Sequence, residues 1–353
     1  MFKLIALLSL ATTTSLAFGL PDKYVVVPNR SDSTITLLST PKGDVIQKVD
    51  ATHVGQSFEP IYASSVPRYQ TVAVSDRKNS QLLFFDNRDF RYLGSVPTSQ
   101  GMFHMWPSPD QKEIYAVADI DRVVDVVAIN RFDDQIAYHK HRIDVGALFA
   151  TGKPHDIVAD KDYIFITMIG VEEGSSKYDY ILKYNRRTLA LLDQMRLSFD
   201  THLGIPAESP YLLIPEQTAG RLNFVDKKTF KVVTTVEGVP GSHGIYWNSD
   251  ASRIYLANFT SQGPMSVYEV RQKEGTLNFQ AKLIKTHALQ DAKAHNVTVD
   301  FANQVMFVTH SGPNKDGNLN TNVSLFSVAG DSKFLKTVES GLNPLGILLV
   351  TTR

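Results

Sequence analysis

The chain of 353 residues carries 36 Lys and Arg against 36 Asp and Glu, contains no cysteine, and is 43% hydrophobic. That is enough apolar mass for a large core, while the balanced charge gives no field that would draw the protein to nucleic acid. The absence of cysteine excludes disulfides, thiolate metal sites, iron–sulfur clusters and c-type haem attachment, so packing must hold the fold together.

Lys3, the apolar run Leu4–Leu10 and the small residues around Ala17-Phe18-Gly19 form a secretory signal pattern. It predicts a signal peptide over 1–19, cleaved near Gly19, and a single mature domain over 20–353. The run is too short to span a bilayer, and no later segment is long and apolar enough to do so. The short signal and missing disulfides point to a bacterial periplasm or a secreted protein.

From Lys23 onward the chain alternates short β-branched and aromatic runs with turns rich in Asp, Ser, Pro and Asn. Lys23–Asn29, Thr34–Leu38 and Val45–Val49 are the first three predicted strands. A hairpin unit then recurs, opening with Glu59-Pro60-Ile61 and returning through Gln70–Asp76. Later copies open on His104, His155, His202, His243 and His295 and return through Glu113–Asp119, Tyr163–Met168, Tyr211–Glu216, Arg253–Asn258 and Gln304–His310. The spacing of about 40–50 residues is that of a four-stranded propeller blade. Pro344–Val350 reads as an innermost strand without a partner, and the N-terminal strands complete it. The predicted fold is therefore all-β, a seven-bladed β-propeller closed by pairing of N- and C-terminal strands in one blade.

Ser242-His243-Gly244-Ile245 and Tyr255-Leu256-Ala257-Asn258 carry a resemblance to the YVTN-type repeat propellers of secreted and periplasmic proteins. Their blades read roughly Pro-His-Gly-Ile, Pro-Asp-Gly, Val-Tyr-Val-Thr-Asn. The resemblance covers nearly all of the mature chain, although the turn has lost its Gly throughout, and it implies the fold without implying one function.

Inner strands start, and second strands end, at one face of a propeller. Counting outward from each turn pairs Glu59 with Asp76, His104 with Asp119, His155 with Met168, His202 with Glu216, His243 with Asn258 and His295 with His310. Five histidines thus take one equivalent position in consecutive blades, and ring closure points them at a shared axis at one channel mouth. A single such histidine has a plain role, bonding a neighbouring loop carbonyl. Five together repel one another when protonated and need partners for every buried nitrogen, and a metal ion answers both demands. The predicted ligands are His104, His155, His202, His243 and His295, with His310 and Glu216 as auxiliaries. Glu59, Asp76 and Asp119 stand ready to bind directly or to orient ring nitrogens. A thiolate-free imidazole set favours copper first and zinc second.

The chain is also similar to the propeller domain of nitrous oxide reductase, through Gly152-Lys153-Pro154-His155-Asp156, which implies copper held by inward histidines. It lacks that family's paired His-His and His-x-His ligands and its cupredoxin domain, which argues against nitrous oxide reduction. Its blade rhythm resembles seven-bladed lactonases as well, which implies acid–base work by His202 with Glu216 or His104 with Asp119. The competing expectations are a non-enzymatic scaffold that grips a protein, peptide or glycan through its top-face loops, and a lactonase-like hydrolase. The reading leans away from catalysis and towards a monomer. His139 and His141 read as a solvated outer strand or loop, and His53 and His287 as connections.

Overall fold

The computed structural model describes residues 19–352 apart from 131–134, 261–263, 274–276, 291, 292, 315 and 331. The signal-peptide pattern over 1–18 lies outside the described residues. Seven antiparallel sheets follow one another around the ring; in blades one to six the innermost segment comes first in the chain, and in the seventh it comes last. Blade one is Pro60–Val66, Thr71–Asp76, Gln81–Asp86 and Tyr92–Pro97, and blades two, three, five and six repeat the pattern from Met102, Lys153, Ser242 and Ala294. In blade four the inner position is taken by residues 201–205, joined to Tyr211–Glu216 through the bridges Thr201↔Glu216 and Gly204↔Leu213.

The seventh blade is assembled from both chain regions that the sequence pattern singled out. Leu348–Thr351 pairs antiparallel with Lys23–Asn29, which continues to Thr34–Ser39 and Val45–Val49. No helix among the described residues is long and apolar enough to cross a membrane.

Apolar residues on both faces of each blade explain why the blades stack. In the second strand of blade two, Ile114 and Ala116 pack towards blade one, while Tyr115 and Val117 pack towards blade three. Each such strand feeds the two seams beside it, so its sequence is continuously apolar rather than alternating. Seven hydrophobic clusters fill the seven seams, and the closing blade shares one with each neighbour, through Tyr24 and Val26 on one side and Val25 and Val27 on the other. Outer strands such as Leu191–Leu197 face water and are largely exposed.

A repeated irregularity shapes the channel. In blade one Pro60 pairs with Asp76, but the next ladder pair is Ala63 with Val74, so the inner strand carries one extra residue there. The same bulge follows Met102, Pro154, Ser242 and Ala294. A bulge leaves two residues outside the regular ladder and re-aims their side chains.

Candidate metal centre

The bulges sort the histidines into two levels. The first residue after the anchoring pair is Ile61, Phe103, His155, His243 or His295, and the second is Tyr62, His104, Asp156, Gly244 or Asn296. His202 follows the bridge at Thr201 and belongs with the first set. His104 is therefore not equivalent to the other four and shares its level with Tyr62 and Asp156. The cross-strand pairings counted from the turns are displaced by one residue, in blades three, five and six because of this bulge. Pro60, Pro154, Thr201, Ser242 and Ala294, rather than their successors or predecessors, stand opposite Asp76, Met168, Glu216, Asn258 and His310.

The five rings still form one continuous arc. Centroids are 5.3 Å apart for His104 and His155, 5.0 Å for His155 and His202, 3.9 Å for His202 and His243, and 4.4 Å for His243 and His295. Tyr62 stacks on His104 at 3.8 Å, and Phe259 covers His243 and His295. The arc is not at an open mouth: His202, His243 and His295 are buried, and His104 and His155 are half-buried.

Hydrogen bonding divides the arc in function. His243 Nδ1 donates to the carbonyl of His295 at 3.3 Å, and His295 Nδ1 donates to that of Leu345 at 3.1 Å. These two imidazoles tie neighbouring blades together, the plain role open to a histidine at a strand start. His104 instead turns Nδ1 to Asp156 Oδ1 at 3.2 Å. Its Nε2, with those of His155 and His202, is buried without a hydrogen-bond partner. One ring nitrogen from each of these three residues lies within 4.8 Å of the others, close enough to share an ion.

Asp156 organises this group. Its Oδ1 accepts from the Ile157 amide at 2.7 Å and its Oδ2 from the Leu203 amide at 2.9 Å, which fixes the carboxylate between His104 and His202. Asp200 Oδ1 stands 3.7 Å from His202 Nε2. Neither carboxylate was among the expected ligands. The signal for Asp156 was present in the dipeptide His155-Asp156, but reading it required knowing that the bulge sets Asp156 level with His104.

Burial and charge give the histidines opposite protonation states. Burial pushes His104 down to about 4 against the pull of Asp156, and His295 down to about 3. Burial and the neighbouring imidazoles, His202 foremost, hold His155 and His243 well below 6.5. His202 is also buried, yet Asp156 and Asp200 outweigh the desolvation and raise it to about 9. The Asp156 carboxyl resists the upward push of burial because His104 and His202 hold it well below the usual carboxylate range. Near neutral pH the arc is one imidazolium between carboxylates, flanked by neutral imidazoles, the form that ligates metal.

The remaining expected ligands do not join this group. Glu216 accepts from Arg221 Nε at 2.6 Å, from Asn223 and from Ser198, so it is committed to its own blade. His310 is buried with neither ring nitrogen bonded, and it belongs to no ligand cluster among the described residues. Asp76 holds Asn79 and Gln81, Asp119 pairs with Arg77 and Lys153, and Glu59 pairs with Arg30. Buried carboxylates at strand ends are satisfied by their own turns and rims first, because an unpaired charge there is costly. His139 and His141 lie in the outer strand Ala137–Asp144, His139 bonding Asp125 at 2.9 Å, while His287 falls in the strand Phe279–Gln290 rather than in a connection.

No protein-family model and no curated protein sequence matches this chain. Solved structures do. The periplasmic gluconolactonase of Pseudomonas aeruginosa is 12% identical with a TM-score of 0.68, covering 94% of this chain and 100% of that one. A candidate 6-phosphogluconolactonase from Bacteroides fragilis is 11% identical with a TM-score of 0.68, covering 93% and 98%. A protein of unknown function from Desulfotomaculum acetoxidans is 12% identical with a TM-score of 0.66, covering 92% and 98%. The shared feature is the propeller fold. At such identities the likeness extends to architecture and not to chemistry.

Proposed function

We propose that this chain is an exported propeller that binds one transition-metal ion, copper before zinc, through His104, His155 and His202. The observation that carries the reading is the clustering of these three rings, one nitrogen of each within 4.8 Å of the others, with each Nε2 buried without a hydrogen-bond partner. Buried polar atoms left unsatisfied cost about 1–3 kcal/mol each, and coordination would recover that at all three together. Asp156 supports His104 from behind, the arrangement in which a carboxylate fixes the tautomer and ring orientation of a ligating histidine. Loading would release the proton held by His202. The metal, when bound, would act as a Lewis acid or redox centre, while the chain supplies its orientation and a dry surrounding. The amino-terminal signal pattern supports export.

The test is metal analysis of protein purified without chelators. About one ion per chain is expected, falling below about a tenth in His104→Ala, His155→Ala and His202→Ala, while His243→Ala and His295→Ala keep theirs. A chain that retains no ion, or retention that tracks His243 instead, would overturn the proposal.

A second reading takes support from the likeness to gluconolactonases and from the His104–Asp156 pair, whose 3.2 Å separation suits a general base. Turnover of a lactone panel that vanishes in His104→Ala but persists after chelation would favour it over the metal.

A further inference from the structure

Three rings of the arc, His104, His202 and His243, line one part of a cavity of about 460 Å³ that runs between the inner strands. Exposed Ala207 and Ser249 mark its opening on the face where those strands finish. Trp106 and Trp247, from blades two and five, lie nearly parallel across it with centroids 6.4 Å apart and planes at 24°. They are the chain's two tryptophans, and both are half-buried, packed on one side against the seam clusters while also lining the cavity. The walls around them are largely carbon, from Met105, Ile205, Val297, Ile347 and Leu349. Polar groups gather at the closed end, where His104, Asp156, His202 and Asn296 line the cavity and the Nε2 atoms of both histidines are unpartnered. Along the wall, Ser65 offers one more buried hydroxyl with no partner.

We infer that this cavity holds a flat, uncharged aromatic molecule bearing a hydroxyl group, its ring on Trp106 and Trp247 and its oxygen at the His104–His202 end. The inference rests on the proposed metal site for what that oxygen meets, and on the cavity alone for where the ring lies. The volume is within the range of small-molecule sites, about 300–1,000 Å³. Paired indoles reward a planar π-face by stacking beyond the area it buries. Neither Lys nor Arg lines the cavity among the described residues, and its one cation, His202, is already held by Asp156 and Asp200, so a phosphorylated ligand would meet no free positive charge. A sugar would bring a hydroxyl on nearly every carbon, some of them against the carbon walls of Met105, Ile205, Val297, Ile347 and Leu349, and each unmatched one is penalised. A molecule that is polar at one end and flat and apolar elsewhere matches both halves of the lining.

The test is a calorimetric titration of 2-naphthol into the full chain, in chelator and after copper loading, with cyclohexanol, glucose and inorganic phosphate as comparison ligands. One-to-one binding of 2-naphthol is expected in both forms, tighter with copper, with none of the comparison ligands displacing it. Trp247→Ala should weaken binding by about tenfold or more, and Trp247→Phe, which keeps a flat ring, should restore most of it and shows that the fold is intact. Absence of 2-naphthol binding in a chain that retains copper overturns this inference and leaves the metal site standing. Unchanged binding in Trp247→Ala, or displacement by glucose or phosphate, overturns it as well. Tryptophan-dependent binding by a chain that retains no copper upholds the cavity and removes the metal reading.

Discussion

Acidification from about pH 7 to about pH 5 should strip this protein of a large part of its stability, because several imidazoles are buried as neutral groups. His104 and His310 titrate at about 4 and His295 at about 3 in the folded chain, against 6.5 for an ordinary histidine. These folded values are depressed, so below 6.5 the unfolded chain takes up protons that the folded chain refuses, and the stability present above 6.5 is lost as pH falls. Each such histidine costs about 2 kcal/mol over that interval, and the three together cost about 6 kcal/mol. Domains are typically stable by about 5–15 kcal/mol, so the loss approaches the whole margin. Urea titrations in chelator, followed by tryptophan emission, should show the midpoint falling by about 2 M between the two pH values. His310 is the cleanest probe, since burial alone depresses it. His310→Gln cannot gain a proton and should remove about 2 kcal/mol of the pH-dependent loss. His202 works in the opposite sense: its folded value is raised to about 9. Its contribution, about 3 kcal/mol, is full below 6.5 and disappears as pH rises through 9. A midpoint unchanged between pH 7 and 5, or an unaltered slope in His310→Gln, would refute the reasoning.

Asp156→Asn should weaken metal affinity by about 10–100-fold, read by competition with a chromophoric chelator, because His104 and His202 lose the carboxylate that orients them. Glu216→Ala should cost about 3 kcal/mol in thermal unfolding, since it strands Arg221 and Asn223, yet leave the metal content unchanged. Gly244→Ala should lower stability by about 2–3 kcal/mol, because a Cβ there would lie 2.7 Å from Asn296 Cα and force blades five and six apart.

Blade count, blade boundaries and the split closing blade were legible because they rest on features that recur: apolar second strands, turn residues at similar spacing, and an unpartnered strand at Pro344–Val350. The convergence of His104, His155, His202, His243 and His295 was legible for the same reason, as each follows from position in a repeat. The division of labour among them was not. Whether an imidazole meets a carbonyl, as His243 and His295 do, or is left open, as His155 is, depends on atoms of the next blade. The extra residue after Met102 moved His104 one level along, and no motif marks where a bulge falls. Glu216 and His310 share a strand-end position, but the available partners differ. An arginine five residues on captures the carboxylate, and nothing captures the imidazole. Asp156 was overlooked because its role is visible only when two levels of the channel are stacked.

The pairing of Lys23 with Thr351 has a practical corollary for engineering. Since the first and last strands of the ring are paired neighbours, a short linker from Thr351 to Lys23 would fuse them and new termini could be cut at the exposed turn after Asn185. A permuted chain that folds and keeps its ligands would demonstrate that the ring is held by its interfaces rather than by the order in which the ribosome makes them.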